Sequence, residues 1–196
     1  LTELVAASSV WAFTVFAVLL TIAPGADVAL ILRAATSTSR KQAFLTSLGI
    51  VAGLAFWGAV TAVGLTVFIQ TYPSLYRALT VLGGTYLIYL GLTSLRAQRS
   101  GIIKPPNFYT GLVTNLLNPK VGIFYLSVLP QFVPPGPDYL INTGALAGIH
   151  GALSMGYFVV LIFVFGRELP KPVTRILPWV TAVALIGFGI RTLFFA

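Results

Sequence analysis

A long apolar run near the start of the chain decides the fold class. Residues 10–32 have the sequence VWAFTVFAVLLTIAPGADVALIL, within a run that extends from about Leu4 to Leu32. A membrane-spanning helix needs about 20 apolar residues, so the run is long enough to cross a bilayer. It lacks the basic start and cleavage pattern of a signal peptide, and we therefore expect it to remain as a span. The Pro24-Gly25-Ala26-Asp27 segment interrupts it and predicts a broken helix, because proline disrupts helical hydrogen bonding.

The rest of the chain repeats this composition. Of its 196 residues, 57% are hydrophobic and only 8% are charged, whereas a soluble domain has about 25% charged residues. The further apolar runs cover about 44–69, 79–95, 108–133, 139–165 and 173–195. The predicted fold is an all-α membrane protein with six transmembrane helices, which form a single domain over residues 1–196. The absence of cysteine excludes disulfides and thiolate metal sites, and no cofactor is predicted.

The basic residues predict an orientation in the membrane. Nine of them fall in the odd-numbered connections between spans: Arg33, Arg40, Lys41, Arg96, Arg99, Lys104, Arg167, Lys171 and Arg175. The opposite side has only Arg77 and Arg191. The positive-inside rule therefore predicts that the odd connections are cytoplasmic and that both termini lie outside. The same asymmetry explains the net charge of +8 without a nucleic-acid partner.

A repeat is visible at a shift of 95 residues. It pairs Pro24 with Pro119, Gly49 with Gly144, and Gly53 with Gly148. Gly49 and Gly53 form one Gly-x-x-x-Gly pattern, and Gly144 and Gly148 form the other. Such patterns let helices approach closely, either within one chain or between the two chains of a homodimer. With three spans per half, repeat 1 (about 1–98) and repeat 2 (about 106–196) are expected to be inverted. Inverted repeats with paired broken helices are typical of secondary transporters, whose binding sites lie at the breaks.

Two charged residues follow the breaks, Asp27 in the first run and Lys120 in the fourth. A charge at the bilayer centre costs about 2.5–3.5 kcal/mol, so it usually has a partner or a function. We expect both to face one cavity, paired with each other or with the two charges of a zwitterion. Carbonyls freed around Pro24, Gly25 and Pro119 are further candidate ligands. The alternative is that Asp27 caps the helix beginning at Val28 and Lys120 extends towards the interface.

Three other polar residues are candidates. Asn115 and Asn118 either line the cavity or form hydrogen bonds between helices. His150, the single histidine, is either a proton relay or a packed neutral side chain. One membrane Asp and one His, without Cys, are a poor set for soft metals, so no metal site is predicted. An intramembrane serine protease is disfavoured because Ser154 lies four residues from His150 on the same predicted helix, with no Gly-x-Ser-x-Gly motif.

At both breaks the sequence resembles the LysE/RhtB family of amino-acid exporters. Pro24-Gly25-Ala26-Asp27 is similar to the family's Pro-Gly-Pro-Asp motif, with Ala26 in place of the second proline. The family's Asn-Pro-Lys and Pro-Gln-Phe motifs have counterparts at residues 118–120 and 130–132. Residues 83–91 (GGTYLIYLG) and 108–111 (FYTG) resemble two further conserved stretches of the family.

The resemblance implies a function as well as a fold. The Asp form of the first motif is similar to the RhtB branch, which implies export of neutral, homoserine-, threonine- or leucine-like amino acids across a bacterial cytoplasmic membrane. It implies proton coupling, with Asp27 as the protonation or amine-binding site and Lys120 as a carboxylate partner. The protein is then not an enzyme. The alternative function is a passive channel or a cation exporter of a related fold, which accumulation against a gradient would distinguish.

Overall fold

The chain is helical throughout the part that the structure describes. The computed structural model describes residues 7–23, 25–63, 73–100, 106–134 and 136–165, with isolated helical residues between 176 and 194. The helices are α1 (Ala7–Ile22), α2 (Ala26–Ser37), α3 (Arg40–Ala62), α4 (Pro73–Ser100), α5 (Phe108–Leu116), α6 (Pro119–Ile123) and α7 (Tyr139–Phe165). Between α6 and α7, Phe124–Val128 forms a π-helical turn and Leu129–Phe132 a 3-10 turn.

Several of these helices can cross a membrane. Within the described ranges, α3 and α7 are each long and apolar enough to span a bilayer alone. Two bent pairs raise the number to four: α1 with α2, at an angle of 54°, and α5 with residues 120–132, at 56°. The predicted third span falls on α4, many of whose side chains are outside the described part of the chain, and the sixth lies largely outside the described residues, so neither is tested as a span. Six spans and the inversion of the two halves therefore stay predictions.

The surface of the described residues is far more apolar than that of a soluble protein. Large apolar side chains face outwards, including Trp11, Phe16, Phe56 and Phe163. Many polar side chains are buried instead: Thr21, Arg33, Thr46, Ser47, Thr61, Thr114, Asn115, Asn118, Asn142, Thr143, His150 and Ser154. Such an extensive apolar exterior suits contact with lipid, where unsatisfied polar groups are costly. The chain is a multi-pass membrane protein whose largely apolar interior also contains polar side chains.

The α3 helix is the central element and packs most extensively against α5 and α7. Glycines permit the approach to α5, since a Cβ added to Gly49 would collide with the carbonyl of Phe108. The repeat-related Gly144 and Gly148 on α7 have no described atom within 4 Å of an added Cβ. The first Gly-x-x-x-Gly pair therefore packs within the chain. The second borders an open apolar groove of about 510 Å³ between α3 and α7, and a homodimer through it stays a prediction.

The first connection is shorter than predicted. Arg33 lies inside α2, where it is buried, so placing it in the connection after the first span was wrong. The helix continues past the end of the apolar run and ends at its C-cap, Thr38, whose N–H donates to the carbonyl of Ala34. Ser39 then caps α3 by accepting from the N–H of Gln42. The predicted membrane orientation was counted partly on Arg33 and stays a prediction.

Candidate functional site

The two interruptions of the helices meet at one place in the interior. Gly25 has an extended backbone, with φ −169° and ψ −177°, and forms the N-cap of α2. Asn118 is the N-cap of α6, and its side-chain oxygen accepts a hydrogen bond from the N–H of Lys120. Asp27 and Lys120 are each the second residue of the helix that follows. Pro24 lies outside the described residues, and Pro119 begins α6.

Asp27 of the first break is held by two amides of the second. Its Oδ2 accepts hydrogen bonds from Nδ2 of Asn115 at 3.0 Å and Nδ2 of Asn118 at 3.1 Å. Its buried Oδ1 has no hydrogen-bond partner among the described residues. The alternative interpretation of Asp27 as a helix cap is wrong, because Gly25 occupies the N-cap position and the carboxylate is bonded to the other break. Hydrogen bonds to an ionised acceptor are stronger than neutral ones, so the two amides fix the orientation of the carboxylate.

Lys120 of the second break is held by backbone carbonyls of the first. Its Nζ donates to the carbonyl oxygen of Leu20 at 2.6 Å and to that of Ala23 at 2.8 Å. A proline at position 24 has no N–H with which to satisfy the Leu20 carbonyl. The cation also stands at the negative end of α1, where the helix dipole favours it. The expected ion pair between Asp27 and Lys120 does not form in this conformation, because each has neutral partners across the gap between the two breaks.

The second break also leaves a backbone carbonyl without its helical donor. Pro119 has no N–H for the carbonyl of Asn115, four residues earlier. That oxygen accepts instead from the N–H of Asn118 at 3.0 Å and from Nε1 of Trp57 on α3 at 3.4 Å. The side chain of Asn115 packs against Gly53, where an added Cβ would lie 2.5 Å from its Oδ1. The α3 helix therefore positions the amide that holds Asp27.

A small cavity lies between the two breaks and α7. Asp27, Asn118 and Lys120 line it from the breaks, while His150 and Ser154 line it from α7. Its volume is about 20 Å³, which exceeds the roughly 10–15 Å³ that one water molecule requires. Ligand pockets are usually about 300–1,000 Å³, so the site is closed in this conformation. Asn115 does not line the cavity but acts on it through Asp27.

The α7 side of the cavity contains two hydrogen-bonded pairs. Nδ1 of His150 lies 3.1 Å from the hydroxyl of Tyr125, and the two rings are stacked with centroids 5.7 Å apart. Thr21 Oγ1 on α1 lies 3.2 Å from Ser154 Oγ on α7. Thr21 and Ser154 were not predicted as site residues. The available signal was the spacing of Ser154, which is one helical turn from His150 and so on the same face of α7.

The described side chains do not include a metal-binding cluster of three or more His, Asp or Glu residues.

Tyr125 belongs to the π-helical turn that follows α6, and such turns are frequent at functional sites. Its backbone carbonyl accepts a hydrogen bond from Thr61 of α3 at 3.0 Å. The contact of His150 with Tyr125 is compatible with either predicted role of the histidine.

Comparisons with known proteins give similarity over most of the chain. The family model described as LysE type translocator matches residues 18–194. The threonine efflux protein of Escherichia coli K12 is 30% identical over 87% of this chain and 90% of its own length. That of Salmonella typhi is 32% identical over the same shares. An uncharacterized membrane protein of Bacillus subtilis is 28% identical over 94% of this chain and 98% of its own. No solved structure matches the chain.

Proposed function

The chain belongs to the LysE type translocator family, a family of transporters, and we propose that it exports small neutral amino acids, such as threonine or homoserine, from a bacterial cytoplasm. The relatives described as threonine efflux proteins support the amino-acid substrate and the outward direction. The observation that carries the proposal is the hydrogen bonding of the charged group of each helix break by groups of the other break. It places one carboxylate, one ammonium group and one amide, those of Asp27, Lys120 and Asn118, in the lining of one cavity. The amide of Asn115 and the carbonyls of Leu20 and Ala23 are hydrogen-bonded to the two charged groups.

These groups are complementary to a zwitterion. The substrate's ammonium group would bind Asp27 and the carbonyls of Leu20 and Ala23, which now hold the ammonium group of Lys120. Lys120 would turn to the substrate's carboxylate, beside the amide of Asn118. Each charge of the substrate would then meet an opposite charge or a hydrogen-bonding group, which offsets the cost of removing the zwitterion from water.

The closed cavity supports alternating access. A cavity of about 20 Å³ is too small for an amino acid, so binding requires the walls to separate. We propose that the two halves are inverted repeats, broken at Pro24 and Pro119, and that they rock about the site as in other transporters of this architecture. Both termini would then face outwards, with the basic connections in the cytoplasm.

We propose that Asp27 carries the coupling proton. When the carboxylate is ionised, its Oδ2 accepts from two amides while its Oδ1 has no described partner. A proton from outside would neutralise Asp27 and weaken its bond to the substrate's ammonium group, which favours release outwards. His150 borders the same cavity and is a candidate for passing the proton.

Transport into liposomes by the purified protein tests this function. A panel of labelled amino acids is offered with and without a pH gradient, and the initial rates are compared with those of protein-free liposomes. We expect accumulation of a short neutral amino acid above its equilibrium level when the gradient is imposed. Accumulation only to equilibrium, whatever the gradient, would show a passive channel.

One observation favours a second candidate. The carbonyls of Leu20 and Ala23 bind an ammonium group in the structure, and such carbonyls are also suitable ligands for an inorganic cation. A cation exporter would use this position without an amino acid. Gradient-driven release of potassium or sodium from the same liposomes, in the absence of any amino acid, would support it over the leading proposal.

A further inference from the structure

We infer that Thr21 and Ser154 form a side-chain subsite that binds a hydroxyl group of the transported amino acid. The inference rests on the proposed function and goes further by assigning the residues that select hydroxylated substrates over apolar ones of the same shape. It depends on four features of the two side chains: where they lie, which partners they have, how they are spaced from the charged groups, and what happens to them when the cavity opens.

Both side chains line the cavity that contains the charged groups. Thr21 is 8% exposed and Ser154 is 2% exposed, and both border the same space as Asp27 and Lys120. Much of the remaining lining is apolar, including Leu54 and Phe158. A pair of hydroxyl groups in such surroundings is the natural place for a small polar side chain to bind.

The hydroxyls are directed across the cavity instead of into their own helices. Thr14, Thr46 and Thr61 each donate to the carbonyl four residues earlier in the same helix, as serine and threonine in helices commonly do. Thr21 and Ser154 instead lie 3.2 Å apart, joining α1 to α7. No other partner of either hydroxyl is found among the described residues. Their hydrogen-bonding groups are therefore available on the cavity side.

The subsite is next to the groups that we propose for the charged end. Thr21 directly follows Leu20, whose carbonyl oxygen holds the ammonium group of Lys120. Both residues line the cavity near the end of α1, so we expect the side chain of a ligand whose ammonium group replaces that of Lys120 to lie near Thr21.

Opening of the cavity changes the balance for the two kinds of substrate. When α1 and α7 separate, the Thr21–Ser154 bond is lost. A substrate hydroxyl can replace it with two bonds, because it donates to one oxygen and accepts from the other. An apolar substrate side chain of the same shape would also separate the two hydroxyls but would form no hydrogen bond with either of them. Since one ordinary hydrogen bond corresponds to about a tenfold change in affinity, we expect discrimination of about tenfold or more.

Competition between threonine and valine tests the subsite, because the two side chains have the same shape. Purified wild type, Thr21→Val and Ser154→Ala are reconstituted in liposomes, and the ratio of initial uptake rates for the two amino acids is measured. We expect wild type to prefer threonine, and each variant to lose about tenfold of that ratio. Because a ratio is measured, differences in the amount of folded protein cancel.

Matched variants identify the cause. Thr14→Val makes the same replacement on the same helix, at a hydroxyl bonded to the Val10 carbonyl, and should keep the wild-type ratio. Thr21→Ser retains the hydroxyl and should also keep it, even if Thr21→Val folds poorly. An unchanged ratio in both Thr21→Val and Ser154→Ala, or no threonine preference in wild type, would overturn the subsite. Wild type that transports no amino acid at all would overturn the proposed function itself.

Discussion

The two helix breaks differ in the groups that they offer to each other. The first break presents a carboxylate, Asp27, and two backbone carbonyls, and the second presents two amides and the cation of Lys120. Acceptors of one break are thus bound by donors of the other. Two copies of an identical break could not pair in this way, since acceptors would face acceptors. The different residues at the two breaks therefore make the groups of one complementary to those of the other.

The largest effect should follow from removing the acceptor charge of the first break. Asp27→Asn keeps the size of the side chain but removes its charge and protonation, so we expect transport to be abolished while the protein remains in the membrane. Efflux from cells loaded with the substrate measures this. Asp138→Asn, at the start of α7 and outside the cavity lining, is the control and should export normally. Wild-type efflux by Asp27→Asn would refute the assigned role.

Removing the donor charge of the second break tests the other half of the exchange. Lys120→Met leaves two carbonyls without their charged donor, and hydrogen bonds to charged groups contribute about 1.5–3 kcal/mol each. We expect a lower melting temperature and at least a hundredfold loss of transport in liposomes.

Lys41→Met replaces an exposed lysine near the start of α3 and should change neither property. Lys120→Arg retains the charge and should recover part of the stability. If Lys120→Met melts and transports like wild type, the cation is not part of the site.

The two Gly-x-x-x-Gly pairs provide a smaller comparison. An added Cβ at Gly53 would lie 2.5 Å from Oδ1 of Asn115, whereas Gly148 has no described atom within 4 Å. Gly53→Ala should therefore displace the amide that holds Asp27. Overpacking costs about 1–3 kcal/mol, and transport should fall with it. Gly148→Ala is the matched control, for which we expect a change within about 0.5 kcal/mol. Thermal unfolding in detergent and transport in liposomes are measured for both variants. Equal stability and equal transport of the two would contradict the packing argument.

The smallest effect concerns the backbone of the second break. Trp57→Phe removes the Nε1 donor to the carbonyl of Asn115, which retains its bond from Asn118. We expect a loss of about 1 kcal/mol, which corresponds to a decrease in melting temperature of about 2–4 °C for a chain of this size. Transport should fall only a few-fold. Abolished transport at a normal melting temperature would show that Trp57 has a direct role in the site.

Much of the site could be predicted because its residues are conspicuous in an apolar sequence. Asp27 and Lys120 were found because charges inside predicted spans are rare, and the motifs around them identified the family, which the comparisons confirm. Thr21 and Ser154 carry no comparable signal, since threonine and serine are ordinary constituents of membrane helices. Their roles depend on which helices are neighbours, and periodicity does not contain that information.

The sequence alone determined that the chain is a multi-pass helical membrane protein. It also directed the search for a functional site to the two proline-containing interruptions. Composition and the length of apolar runs suffice for this, because a bilayer accepts few ways of satisfying a backbone. Only the tertiary structure decided the partners at the breaks. Asp27 and Lys120 are opposite charges that follow the two breaks, and a direct ion pair was one of the two arrangements predicted. In the structure, the amides of Asn115 and Asn118 bind Asp27, and backbone carbonyls bind Lys120. These neutral partners depend on how the helices pack, and the positions of charged residues in the sequence do not predict them.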